Sequence, residues 1–144
     1  MKKNMNFVDP KLAKKIAIIL FYIMFLYSGV KKIFNFEKKV IVLQSKTGLP
    51  KFVNVIGMIL VIILEIIGSI IIITNSLRPG YFSKDLVKLT YISYLIFLIV
   101  VTALYHPPKY PKGMIPFLSN VTTFAGLLYL YSDVWLLIKD SLKF

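Results

Sequence analysis

The chain has 144 residues, of which 58% are hydrophobic, and its mean hydropathy is +0.77. Soluble domains are closer to half apolar, so this composition is typical of a membrane protein. The long apolar stretches leave no room for a separate soluble domain. The chain has no cysteines, which excludes a disulfide framework, a thiolate metal site and thiol–disulfide exchange by this chain alone.

The charge is strongly positive and unevenly placed. The formal net charge is +12, and all but one of the 18 basic residues are lysines. Many lysines flank apolar segments, as Lys14, Lys15, Lys31 and Lys32 do. Because basic residues at the ends of membrane segments contact anionic lipid headgroups, we expect the lipid bilayer, and no nucleic acid, to be the partner of these charges.

The first apolar segment predicts a helix over residues 13–34. A charged start followed by an apolar run is also the pattern of a secretory signal peptide. However, no cleavage site of small residues is evident, and the bulky Tyr22, Phe25 and Tyr27 fill the later half of the segment. These features favour a helix that is retained.

The connector after this segment has a periodic pattern of its own. Phe36, Val40 and Leu43 fall at positions i, i+4 and i+7, with charged and polar residues between them. The spacing indicates a short interfacial amphipathic helix, and the alternative is a solvated loop. Gly48 and Pro50 are expected to end this helix, since Gly favours the C-cap and Pro cannot continue it.

Three more apolar segments predict helices over residues 52–74, 86–105 and 115–138. A segment of about 20 residues spans ~30 Å of hydrocarbon. The sequence therefore predicts an all-α membrane protein, a single domain over residues 1–144 folded as an antiparallel bundle of four transmembrane helices. Four crossings place both termini on one side. The loops on that side carry ten basic residues against eight on the other, a narrow margin in favour of the cytoplasm.

Four polar residues stand out because they lie in or next to apolar segments: Lys32, Glu65, His106 and Asn120. In an antiparallel bundle, Lys32, His106 and Asn120 fall in one layer. Glu65 lies deeper, about 16 Å from the interface at helical rise. Ionisable groups in a bilayer are costly and often functional, so we take these residues as a candidate polar site inside the bundle. The sequence leaves open whether Lys32 contacts Glu65.

Each of these residues also has a structural interpretation. Glu65 and Asn120 fit interhelical hydrogen bonds, Lys32 fits a side chain that extends to the headgroups, and His106 fits an ordinary interfacial residue. Gly57 and Gly68 lie on nearly the same helix face, which favours close helix packing over substrate contact. No metal-ligand spacing is present, and we expect no metal.

Five short patterns resemble the DoxX family of membrane proteins. Residues 28–34 are similar to its SG-x-x-K-x-F at the end of the first helix, and residues 48–50 to its G-L-P before the second. Residues 64–68 are similar to its L-E-x-x-G. His106 matches its histidine after the third helix, and residues 117–120 match its F-x-x-N. No pattern is specific alone, but all five occur in the right order across residues 16–130.

The resemblance implies a four-helix membrane bundle and a set of family-like positions. These are Gly29, Lys32, Glu65, Gly68, His106 and Asn120. Gly29 is expected to serve helix packing. The family is named for a subunit of a thiosulfate:quinone oxidoreductase, and relatives help to mature redox enzymes. Similar folds occur in membrane chaperones and cargo receptors. The loop between the third and fourth helices departs from the family pattern. It carries four prolines and is longer and stiffer than the resemblance leads us to expect.

Three functions fit this sequence. The first is an accessory subunit of a quinone-linked membrane redox complex, not catalytic alone, with no covalently bound cofactor and with quinone as its ligand. The second is a membrane chaperone or assembly factor whose polar groups pair with client helices. The third is a small proton-coupled transporter with Glu65 as a proton relay, for which four helices are few unless the protein forms an oligomer.

Overall fold

A computed structural model describes residues 9–108 and 112–141, and for residues 134–141 it describes the backbone alone. Within these residues every regular element is a helix. The elements are α1 (Pro10–Phe34), α2 (Phe36–Thr47), α3 (Lys51–Ile63), a π-helical turn (Leu64–Gly68), α4 (Ser69–Leu77), α5 (Lys84–Tyr105) and α6 (Met114–Ser141).

Four helices are long and apolar enough to cross a bilayer, and they confirm the predicted fold class. They are Pro10–Phe34, Lys51–Leu77, Lys84–Tyr105 and Met114–Asp133. The second is continuous through α3, the π-helical turn and α4. The chain is thus a multi-pass membrane protein built as a four-helix bundle. The four-proline loop and the tail fall partly outside the described residues.

Helix α1 begins earlier than hydropathy predicts, at Pro10 instead of residue 13. The carboxylate of Asp9 accepts a hydrogen bond of 3.0 Å from the backbone N–H of Lys11. Pro10 occupies the first turn, where its missing N–H costs nothing. The helix therefore extends into a polar segment that an apolar pattern alone leaves out.

The predicted helix after α1 is confirmed as α2. Val40 is buried, and Phe36 and Leu43 are half-buried, so the predicted apolar face is the one that packs. Gly48 ends α2 with φ of 68°, and its N–H donates to the carbonyl of Gln44 at 2.9 Å. That left-handed conformation favours glycine.

The core joins α1, α4, α5 and α6, and α6 packs mainly against α5. The largest fully buried side chains in it are Tyr22, Tyr94, Ile72 and Leu127. Near the start of α1, the Nζ atom of Lys14 donates a hydrogen bond of 2.7 Å to the carboxylate of Asp133 in α6. Only 6% of the apolar window of Met114–Asp133 in α6 is buried, against 22–28% for the other three spans, so this part of α6 is the least buried of the four spans.

Candidate functional site

Lys32 and Glu65 form a closed polar site inside the bundle. The Nζ atom of Lys32 lies 2.7 Å from both carboxylate oxygens of Glu65 and 2.6 Å from Oγ of Ser28. Ser28 in turn donates to Oε1 of Glu65 at 3.2 Å. The contact that the sequence left open is therefore formed. An ammonium group has three N–H donors, and all three have acceptors here.

This site is shielded from its surroundings. The side chain of Glu65 is 3% exposed and that of Lys32 is 19% exposed. Coulombic attraction between two unit charges strengthens as the effective dielectric constant falls, and the hydrogen bonds from Ser28 and Lys32 replace the lost hydration of the carboxylate. The pair is neutral as a unit, which is how a bilayer accommodates two charges.

Close approach of α1 to the second span positions the pair. Ser28 and Lys32 are one helical turn apart on the same face of α1, and Gly29 lies where α1 meets Glu65 and Ile66 of the second span. A Cβ atom on Gly29 would lie 2.7 Å from Cγ1 of Ile66 and 3.1 Å from Cβ of Glu65. Gly29 thus lets the two helix backbones come close enough for the lysine to meet the carboxylate.

Glu65 lies in the π-helical turn Leu64–Gly68, which interrupts the regular ladder of hydrogen bonds. The hydroxyl of Tyr94 donates to the carbonyl of Leu64 in this turn at 2.9 Å. It also lies 2.7 Å from Oγ of Ser69. Because Tyr94 has one hydroxyl proton and gives it to the carbonyl, Ser69 is the donor in that second bond. Single π-helical turns within α-helices are frequent at functional sites.

Gly68 and Gly57 differ in what surrounds them. A Cβ atom on Gly68 would lie 3.1 Å from Cε2 of Tyr94, so close packing against α5 requires a small residue. On Gly57 the nearest atom would be Cδ2 of Leu43 at 3.8 Å, an ordinary contact. Close packing at Gly57 therefore stays a prediction, because no neighbour approaches this glycine as closely as Tyr94 approaches Gly68.

Asn120 lies in a groove between α5 and α6, apart from the ion pair. Its amide Nδ2 donates to Oγ1 of Thr102 at 3.1 Å, and Thr102 donates to the carbonyl of Leu98 at 2.6 Å. The groove has a volume of about 420 Å³ and is otherwise apolar, with Phe117 and Phe124 among its lining residues.

His106 caps the end of α5, as the following prolines predict. Its backbone N–H donates to the carbonyl of Thr102 at 3.0 Å, and its side chain is half-buried. Pro107 and Pro108 line the mouth of the groove that contains Asn120. The structure thus divides the four predicted residues into the Lys32–Glu65 pair and a second region with Asn120, Thr102 and the end of α5.

Several residues at these sites were not singled out from the sequence. Ser28 carries a signal that could have been used, since it precedes Lys32 by one turn of the same helix. Tyr94, Ser69 and Thr102 carry none, because only the packing of α5 against its neighbours brings their hydroxyl groups to the sites. Among the described residues, no group of three or more His, Cys, Asp or Glu side chains could hold a metal ion.

Comparison with known protein families, with curated proteins and with solved structures finds no match to this chain. The proposed function therefore rests on the arrangement of the site residues.

Proposed function

We propose that this chain is a DoxX-like membrane protein and an accessory subunit of a quinone-linked membrane redox complex. The observation that carries the proposal is the convergence of two of the family-like patterns. Ser28 and Lys32 of the first pattern bond to Glu65 of the second, and Gly29 packs directly against Glu65. Residues that are 33 or more positions apart in the chain thus form one unit. If the short patterns were similar to the family by chance, there would be no reason for them to meet in the structure.

The groove between α5 and α6 suits a lipid-soluble ring with carbonyl oxygens. Ligand sites are mostly apolar, with a few polar groups that orient the ligand. One amide proton of Asn120 is given to Thr102, and the second is a donor for a quinone carbonyl. Ile99 and Val121 at the edge of the groove are 58% and 44% exposed, so a quinone enters from the lipid without crossing water.

The open face of α6 supports association with a partner. Only 6% of the apolar window of this span is buried, and Leu118, Leu128 and Tyr129 are exposed on it, so these apolar side chains are available to pack against another subunit. Histidine and cysteine are the usual protein ligands of haem and iron–sulfur clusters, and the chain has one histidine and no cysteines. Electrons would therefore come from a partner enzyme, and this chain would position the quinone.

A photoreactive quinone analogue tests the groove. We expect light-dependent labelling of the protein in detergent to fall on peptides of α5 and α6, with excess unlabelled quinone as competitor. Asn120→Leu should weaken quinone binding about three- to tenfold, since one hydrogen bond is worth about 0.5–1.5 kcal/mol. Thr122→Leu, on an exposed position of the same helix, is the matched control and should bind as the wild type does. Labelling outside the groove, or equal binding by both variants, would contradict this site.

The open α6 also favours a second function, that of a membrane chaperone or assembly factor. A client helix could pack along α6 and pair with exposed polar groups such as Ser119 and Thr122. This function needs no quinone. It predicts crosslinking of α6 to many newly made membrane proteins, whereas a redox subunit should crosslink to a fixed partner.

A further inference from the structure

A second cavity lies at the opposite end of the bundle from the Lys32–Glu65 pair. It has a volume of about 370 Å³ and is enclosed by the start of α1, the end of α4, the start of α5 and the later half of α6. This volume is within the range of about 300–1,000 Å³ typical of ligand sites. The apolar parts of all four spans end near this level, so the cavity opens at the depth of the lipid headgroups.

The rim of this cavity is basic. Lys11, Lys14 and Lys15 contribute three ammonium groups, and Asp133 contributes one carboxylate. That carboxylate is bonded to Lys14 at 2.7 Å, which leaves an excess of positive charge from Lys11 and Lys15. Asn75 of α4 also lines the rim and adds an amide that can donate hydrogen bonds to an anion.

The floor of the cavity is apolar and belongs to the core. Ile18, Ile72 and Val87 line it and are 6%, 2% and 3% exposed, and Leu130 of α6 completes the wall. A soluble anion gains nothing from such a floor. A molecule with an anionic head and a hydrocarbon chain satisfies both the rim and the floor, because the chain buries apolar surface while the head pairs with the lysines.

We propose that this cavity binds the phosphate headgroup of an anionic phospholipid, with the first part of an acyl chain against the apolar floor. Basic pockets between transmembrane helices are a recurrent means of headgroup recognition. The site is built by all four spans, so a bound lipid would brace the start of α1 against α4 and α6. This binding is independent of the quinone groove, which lies between α5 and α6 at the other end.

Native mass spectrometry of the full chain in detergent, titrated with phosphatidylglycerol and separately with phosphatidylcholine, tests the site. We expect a single phosphatidylglycerol to be retained in preference to phosphatidylcholine. The double variant K11Q/K15Q should bind it about 10–30-fold more weakly, because each lysine near an anionic lipid raises the affinity by about fivefold. Lys14 is left in place because it holds α1 to α6 through Asp133.

Two matched variants and a free anion complete the test. K38Q/K46Q removes two exposed lysines from α2 and should bind lipid as the wild type does, and K11R/K15R should retain binding because both charges are kept. Inorganic phosphate should not displace the lipid. Equal retention of the two lipids, equal losses in the two glutamine variants, or displacement by inorganic phosphate would each overturn the proposal.

Discussion

Replacing Lys32 with methionine is expected to lower the free energy of unfolding by about 3–5 kcal/mol, the cost of removing one partner of a buried ion pair. The carboxylate of Glu65 accepts three hydrogen bonds, two of them from Lys32, and is 3% exposed. In the variant, Ser28 is the remaining side-chain donor, and the methionine places an apolar chain beside the charge. Thermal unfolding of the purified protein in detergent micelles measures the loss.

The double variant K32M/E65L separates a structural role of the pair from a functional one. Replacing both partners of a buried pair with apolar residues of similar volume is often neutral or stabilising, so its stability should return close to that of the wild type. If the pair serves the redox complex, the stable double variant should still fail to support activity. Full activity in the double variant would show that the pair serves only the packing of the helices. An unfolding temperature unchanged in K32M would contradict the buried contact between Lys32 and Glu65.

The second large effect concerns Gly29. Gly29→Ala places a Cβ atom 2.7 Å from Cγ1 of Ile66 and 3.1 Å from Cβ of Glu65, so α1 must move away from the second span. Overpacking of this kind costs about 1–3 kcal/mol, and the shift also lengthens the contact between Lys32 and Glu65. We therefore expect a lower unfolding temperature together with reduced activity of the complex.

Gly57→Ala is the matched control for this change. Its added methyl group would have Leu43 as nearest neighbour at 3.8 Å, and alanine is a better helix former than glycine by about 1 kcal/mol. This variant should be as stable as the wild type or slightly more so. Equal destabilisation by both substitutions would show that the close approach at Gly29 does not hold the bundle together.

The helices were predictable because their signals are local. Four apolar stretches of membrane length and the spacing of Phe36, Val40 and Leu43 give the four spans and α2 directly. The caps follow from single residues, as Gly48 shows at the end of α2. The polar residues of the candidate site were also visible, since a charge in an apolar segment stands out from its neighbours.

The geometry of the site was not predictable, because it depends on how side chains reach between helices and on a turn that breaks helical periodicity. Counting residues at a uniform rise and rotation placed Glu65 too deep to assign to Lys32 and placed Gly57 on the face of Gly68. Lys32 nevertheless reaches Glu65, because its side chain extends back along α1 to Ser28, which bonds to the same carboxylate. The π-helical turn Leu64–Gly68 also breaks the uniform rotation between Gly57 and Gly68. It is held by the hydroxyl of Tyr94, 29 or more positions away in the chain, so no local pattern could indicate it.

The most direct test of the proposed function is the identity of the partner. Affinity purification of the tagged full chain from its native membranes in mild detergent, with mass spectrometry of the proteins that accompany it, gives that identity. We expect a flavin, haem or iron–sulfur enzyme in stoichiometric amount, which the K32M/E65L variant should still capture if its fold is intact. A range of membrane or secretory proteins with no redox enzyme among them would contradict the redox assignment and favour the assembly factor.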